Sequence, residues 1–306
     1  MTTGVRRVGA IDCGTNTIRL LIGEIRGGRV TELCRLMETN RLGEGLGATG
    51  LISAEALQRS ESALTHFAEK VAEFRPDAIR MVATSASRDA KNSDLFVALA
   101  KATVGVPPEV ISGAEEAQLS FAGAMAGLDP SVSRVVIDIG GGSTEFVIGD
   151  HVVRGSHSTN MGCVRLTEQH LHHDPPTARE LAAARSDVLA AIDEARQCVD
   201  FSGAQGIVGV AGTVTTIAAI ALDLPAYDAT KIHQSMIPAA RVRDIAGMLV
   251  RADHQTRHDI PVMDPGRVDV IAAGAVILDT ILGELGFAEI MASETDILHG
   301  IAMSIA

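Results

Sequence analysis

The chain reads as an α/β protein built from two related domains. Three observations predict this. Apolar runs with strand character alternate with segments of helical period. A glycine-rich hairpin near the N-terminus repeats in the middle of the chain. The length, 306 residues, is long for one core and suits two.

The first hairpin is "AIDCGTNTIRLLIGE", Ala10 to Glu24. The second is "VIDIGGGSTEFVIGD", Val136 to Asp150. A constant offset with no gap lays Asp12 on Asp138, Gly14 on Gly140, Thr17 on Ser143 and Gly23 on Gly149. A turn needs one or two glycines; Gly140, Gly141 and Gly142 suit a backbone approached closely by a ligand. Duplication places two such hairpins facing each other across a cleft. Arg19 stands where Glu145 stands. A base on one lip and an acid on the other suit a site for an anion and a metal or water. An inter-domain salt bridge is the other reading.

Between the hairpins, "SAEALQRSESALTHFAEKVAEF" from Ser53 has a helical apolar face. A strand ends near Ala83, and Thr84, Ser85, Arg88 and Asn92 open a helix. In "VISGAEEAQLSFAGAMAG", Ser112 and Glu115 form a capping box, with Glu115 reaching back to the Ser112 N–H. That leaves Glu116 without a capping role. It suits a general base on water, but from this segment alone a solvated first-turn acid favoured by the helix dipole is the better reading. "GLDPSVSR" from Gly127 carries turn residues, and we place the domain boundary there. The domains are then 1–127 and 128–306, with the C-terminal helix available to complete the first.

In the second half, "TARELAAARSDVLAAIDEARQCV" opens with a capping box, Thr177 and Glu180. A third glycine turn, "IVGVAGTVTTIAA", places Gly212 and Thr213 before a helix, where backbone N–H groups attract phosphate oxygens. An ordinary N-cap is the alternative.

Composition narrows the class. The net charge of −12 disfavours broad binding to nucleic acid, though a local basic cleft can still take an anion. No run of about 18 apolar residues predicts a membrane span. The N-terminus leads into a strand without the apolar core of a signal peptide, which predicts a cytoplasmic protein. Cys13, Cys34, Cys163 and Cys198 are scattered and read as free thiols. "GLGATG" from Gly45 follows no clear strand, so dinucleotide binding is disfavoured. "HLHHD", His170 to Asp174, reads as an exposed loop or a metal cluster, and "RHD" from Arg257 is too short to inform.

Six motifs in order carry a resemblance. They are Asp12 to Arg19, "RLGEGL" from Arg41, "ATSASRDAKN" from Ala83, "ISGAEEA" from Ile111, "DIGGGSTE" from Asp138 and "MGCVRLTE" from Met161. Together they resemble the exopolyphosphatase / guanosine pentaphosphate phosphohydrolase family, from Val8 to the "ASETDILHGIA" tail. The resemblance implies two ribonuclease H-like domains of the actin-like superfamily and magnesium-dependent hydrolysis of a terminal phosphate. It implies Glu116 as catalytic glutamate and Arg88 as phosphate-binding arginine. It implies phosphate and metal roles for Asp138, Gly141, Ser143 and Glu145.

The expected site is then Glu116 and Arg88 for catalysis. Gly14, Thr15, Asn16, Thr17, Arg19, Gly140, Gly141, Gly142, Ser143, Gly212 and Thr213 bind substrate. Asp138, Glu145 and Asp12 hold Mg2+. Thr15 and Thr17 stand where the family often has serines, and Ala211 where a glycine is common. Longer members carry a further helical region, and the end of this chain predicts a preference for short inorganic polyphosphate. A homodimer is expected, and a groove built across two subunits would work against that preference. Guanosine pentaphosphate is the alternative substrate. A non-hydrolytic, nucleotide-dependent regulatory protein is the alternative outside enzymes.

Overall fold

The computed structural model describes residues 5–305. The reading of the N-terminus rests in part on residues 1–4, which lie outside them. The chain forms two compact units, Met1–Ala126 with Asp296–Ala306, and Gly127–Thr295.

In the first unit, β1 (Arg6–Cys13) pairs antiparallel with β2 (Thr17–Arg26), and β2 with β3 (Arg29–Thr39). On the other side β4 (Ala78–Ala83) and β5 (Glu109–Val110) add parallel. The order is β3-β2-β1-β4-β5. The helices are α1 (Leu46–Thr49), α2 (Ala54–Phe74), α3 (Ser85–Asp89), α4 (Ser93–Val104) and α5 (Gly113–Ala124).

In the second unit, β6 (Arg134–Ile139), β7 (Thr144–Gly149) and β8 (Val153–Thr159) form the same antiparallel meander. β9 (Gly206–Val210) joins β6 in parallel, β10 (Met236–Pro238) forms the edge, and β11 (Glu289–Ala292) lies between them. The helices are α6 (Cys163–His170), α7 (Ala178–Cys198), α8 (Ala211–Ala221), α9 (Ala229–Ile232), α10 (Ala239–Arg251), α11 (His254–His258) and α12 (Ile271–Leu285). The chain then returns to the first unit as α13 (Ile297–Ser304). Both sheets thus share the ribonuclease H-like order, and the α/β class is borne out.

The duplication extends to a defect. In the first unit the register shifts between Ile22 and Gly23, and in the second between Ile148 and Gly149. These are equivalent positions in the repeat, so the same β-bulge recurs.

The period of two along β1 sorts its side chains. Val8 and Ala10 pack with Ile297, Leu298 and Ile301 of α13. Ile11 and Cys13 pack with Leu64, Phe67 and Phe96 of α2 and α4. Both faces are therefore covered, as parallel strands require. The second unit has one large core, with β6, β7, α7, α10 and α12 contributing. Thr177 and Glu180 form the expected reciprocal capping box at α7. Among the described residues, no helix is long and apolar enough to cross a membrane.

Two local expectations need correcting. The helix expected from Thr84 through Asn92 is broken after Asp89. Asn92 instead clamps Ile52 with two hydrogen bonds, accepting from its N–H at 2.9 Å and donating to its carbonyl at 3.0 Å. That pairing pulls Asn92 out of a helical path. At α5, Ser112 does accept from the Glu115 N–H, but the Glu115 carboxylate does not reach back. Its Oε1 accepts instead from Arg80 Nη2 at 2.5 Å, which turns the carboxylate away from the Ser112 N–H.

Candidate active site

The first hairpin closes with Gly14 N–H donating to the Thr17 carbonyl at 3.0 Å. The second closes identically, Gly140 to Ser143, also at 3.0 Å. What lies beyond each turn then fixes its peptides.

At the second turn, α6 is the support. The N–H groups of Cys163 and Val164 donate to the carbonyls of Gly140 and Gly141 at 3.0 and 2.9 Å, and Arg165 Nε donates to Gly142 at 3.0 Å. A trans peptide holds its carbonyl and the next N–H on opposite sides. The N–H groups of Gly141, Gly142 and Ser143 therefore point away from α6. Such a run of amides suits an anion. Gly162 makes the contact possible, since a Cβ there would lie 2.3 Å from the Gly141 oxygen. The role of "MGCVRLTE" is thus to aim the glycine turn.

The first turn is aimed by "RLGEGL". Arg41 N–H donates to the Asn16 carbonyl at 3.0 Å, and Gly43 N–H to Thr15 at 2.9 Å. The amides of Asn16 and Thr17 are turned from that segment by the same geometry.

Charged residues stand opposite each other across each hairpin. Asp138 and Glu145 stand opposite each other across β6 and β7, and both are buried. Ser158 Oγ donates to Glu145 Oε1 at 2.8 Å. Asp12 and Arg19 stand opposite each other across β1 and β2. Arg19 donates to Asp12 Oδ2 from Nε at 3.1 Å and from Nη2 at 2.6 Å, and its Nη1 pairs with Asp296. Burial pushes the Asp12 carboxyl above its ordinary value, against the pull of Arg19. Asp12 Oδ1 is buried without a hydrogen-bond partner.

Glu116 and Arg88 meet. Arg88, on α3, donates from Nη1 to Glu116 Oε2 at 2.6 Å and to the Ile111 carbonyl at 3.1 Å. Glu116 is buried in the first turn of α5, while the Glu115 side chain is 42 % exposed beside Arg80. The two neighbouring glutamates are therefore separated by environment.

Gly212 and Thr213 open α8 after β9. Arg267 approaches this turn, donating from Nη1 to the Gly212 carbonyl at 2.7 Å and to Thr216 Oγ1 at 3.0 Å. Ala211 holds φ at +66°, the left-handed region that glycine enters freely. We expect Ala211→Gly to stabilise the protein. Relief of left-handed strain, about 1–2 kcal/mol, outweighs the added chain entropy of glycine, about 0.5–1 kcal/mol. Thermal denaturation should show a higher midpoint; an unchanged or lower one refutes the strain.

Sequence reasoning missed Arg267 and Asp296. "DPGR" at Asp264 to Arg267 reads only as a turn, and Asp296 only as part of a tail. The histidine-rich segment is held by hydrogen bonds, His170 Nε2 to Asp187 Oδ2 at 2.7 Å and His173 Nδ1 to Glu180 Oε1 at 2.8 Å. Asp174 pairs with the buried Arg257 at 2.7 Å, which joins it to the "RHD" stretch. Among the described residues no group of three His, Cys, Asp or Glu is placed to hold a metal.

A sequence model of the Ppx/GppA phosphatase family matches residues 21–306. Exopolyphosphatase 2 of Mycobacterium tuberculosis is 44 % identical, with 98 % of each chain covered. The crystal structure of a Ppx/GppA family member from Aquifex aeolicus superposes with a TM-score of 0.82 at 27 % identity, covering 99 % of this chain and 98 % of that one. An exopolyphosphatase from Cytophaga hutchinsonii superposes with a TM-score of 0.91 at 25 % identity, covering 98 % of this chain and 97 % of that one.

Proposed function

The chain belongs to the Ppx/GppA phosphatase family, and from that premise we propose that it is an exopolyphosphatase, releasing terminal phosphate from inorganic polyphosphate. The observation that carries this reading is the orientation of the glycine-turn amides. Gly141, Gly142 and Ser143 turn consecutive N–H groups away from their support, as phosphate oxygens require. The likeness to an exopolyphosphatase over the whole chain supports it.

Glu116 is the base in this proposal. It orients a water and takes its proton as the water oxygen attacks the terminal phosphorus in line. The P–O bond to the shortened chain breaks as the new one forms. The transition state of phosphoryl transfer is loose, so positioning and charge matter more than base strength. Arg88 binds a phosphoryl oxygen. Its present bond to Glu116 is one that an arriving phosphate competes for, which frees the carboxylate for water. Thr15, Thr17, Ser143 and Thr213 supply hydroxyl donors.

The acids fit a hard cation. In the second unit Asp138 and Glu145 are carboxylates set across one hairpin, and in the first unit, taken by itself, Asp12 Oδ1 is a buried oxygen without a partner. Magnesium is held by one or two carboxylates, with substrate oxygens and water completing its shell, so no cluster of three is needed. When bound, it neutralises charge on the phosphoryl oxygens.

One observation favours guanosine pentaphosphate as a second substrate. Tyr227, the single tyrosine, is 43 % exposed, and Glu294 anchors its hydroxyl at 2.5 Å. Its ring offers a plane on which guanine can stack. The test is phosphate release from short polyphosphate, long polyphosphate and guanosine pentaphosphate, with magnesium and after chelation. We expect phosphate release from polyphosphate and chelation to abolish it. Full activity without divalent ions refutes the roles of Asp138, Glu145 and Asp12. No release from any substrate refutes the hydrolase.

A further inference from the structure

Under α13 the first unit carries a line of charges. The two-residue period puts Asp12 of β1 and Arg19 of β2 on the face that α13 covers. In β3, Arg35 lies opposite Leu21 and Glu32 opposite Gly23. Three positions apart, Arg35 and Glu32 would face opposite ways on a regular strand. The bulge at Ile22/Gly23 absorbs one residue and brings both to the α13 face. There Asp296 Oδ2 pairs with Arg19 Nη1 and, at 3.4 Å, with Arg35 Nη2. Arg35 also pairs with Glu32 at 3.4 Å, and Glu32 with His299 Nε2 at 3.1 Å. The Asp296 side chain is 3 % exposed. Burial works to raise its pKa, but Arg19, Arg35 and His299 together hold it below its ordinary value.

We propose that Asp296 is a positioning residue that sets Arg19 relative to Glu116. The inference rests on the reading of Arg19 as a substrate-binding arginine. Asp12 grips one edge of the guanidinium, through Nε and Nη2. A single grip leaves the plane free to swing about that edge; a second carboxylate on Nη1 fixes it. Asp296 is itself held at its other oxygen and at its backbone. Its Oδ1 accepts from the Leu298 N–H at 3.0 Å, capping α13. Its backbone is pressed against α5, because Gly123 and Gly300 let the helices touch main chain to main chain. Since α5 carries Glu116, one rigid helix pair holds both the base and the clamp on the arginine.

The test is Asp296→Asn, with KM and kcat for polyphosphate measured at fixed magnesium and the melting midpoint taken alongside. Asparagine keeps the shape and the cap acceptor but loses the charge that holds Arg19. We expect KM to rise about ten-fold with kcat much less affected, as loss of precise positioning can cost up to ~100-fold. The alternatives differ in sign. If Asp296 were only a negative charge near a polyanion, its removal would lower KM. If it were only structural, the midpoint would fall with KM unchanged. Either result overturns the proposal. Should Asp296→Asn fail to fold, Arg35→Lys keeps the positive charge, the cap and the Arg19 pair while losing the planar contact that steadies Asp296; a KM rise of about two-fold supports the proposal, and no rise overturns it. An inactive wild type would refute the functional reading. An active wild type with unchanged KM in Arg19→Ala would refute the premise about Arg19.

Discussion

Glu116→Ala is expected to abolish turnover while polyphosphate still binds. Loss of a positioned general base costs about 10²–10⁴ in kcat. Binding should persist because removing the carboxylate leaves Arg88 without its 2.6 Å partner and more available to phosphate. Glu115→Ala is the internal control. Its carboxylate is half-exposed and paired with Arg80, and such a surface pair contributes about 0–1 kcal/mol. The control should therefore keep its activity and nearly all of its stability. Single-turnover rates and equilibrium binding on both variants decide the matter. A dead but folded Glu115→Ala beside an active Glu116→Ala would reverse the assignment.

Gly123→Ala should damage both stability and activity. A Cβ at Gly123 would lie 1.8 Å from the Asp296 carbonyl oxygen and 2.6 Å from its carbon. Both are backbone atoms, so no side chain can swing aside. α5 and α13 must separate, and overpacking of this kind costs about 3 kcal/mol at the upper end of its usual range. The motion carries Glu116 with α5, so kcat should fall further than the loss of folded protein explains. Ala122→Ser, at an exposed position of the same helix, should stay within about 0.5 kcal/mol of wild type. Denaturation midpoints and the activity of the folded fraction check both. An unperturbed Gly123→Ala would show that the helices can part without cost.

The two hairpins were legible because their signals are local. A period of two, a glycine turn and a matched Asp specify a hairpin within fifteen residues, and the repeat confirmed it at a distance. The helices at Ser53 and Thr177 were legible for the same reason, since a cap and an apolar face lie within one segment. The environment of Glu116 was only half legible. Neighbouring residues of a helix point about 100° apart, so one of the pair had to face elsewhere. The reason given from sequence was a reciprocal cap; the structure supplies Arg80 instead, from a strand thirty-five positions earlier in the chain.

What only the tertiary structure decided were the contacts between distant segments. The tail containing Asp296 has no sequence signal, because its meaning comes from the return of the chain to the first unit. The bulge in β3 cannot be read from "RVTELCRLMET", whose alternation is too weak to reveal one extra residue. Yet that residue decides whether Glu32 and Arg35 share a face. The aim of the glycine turns was hidden as well. Composition shows that a backbone can bend there, but the peptide directions follow from α6 and from residues 41–43 pulling on the carbonyls. Sequence alone determined which local shapes this chain can form. Packing decided which way they point, because a carbonyl or a carboxylate takes its direction from the partner that reaches it.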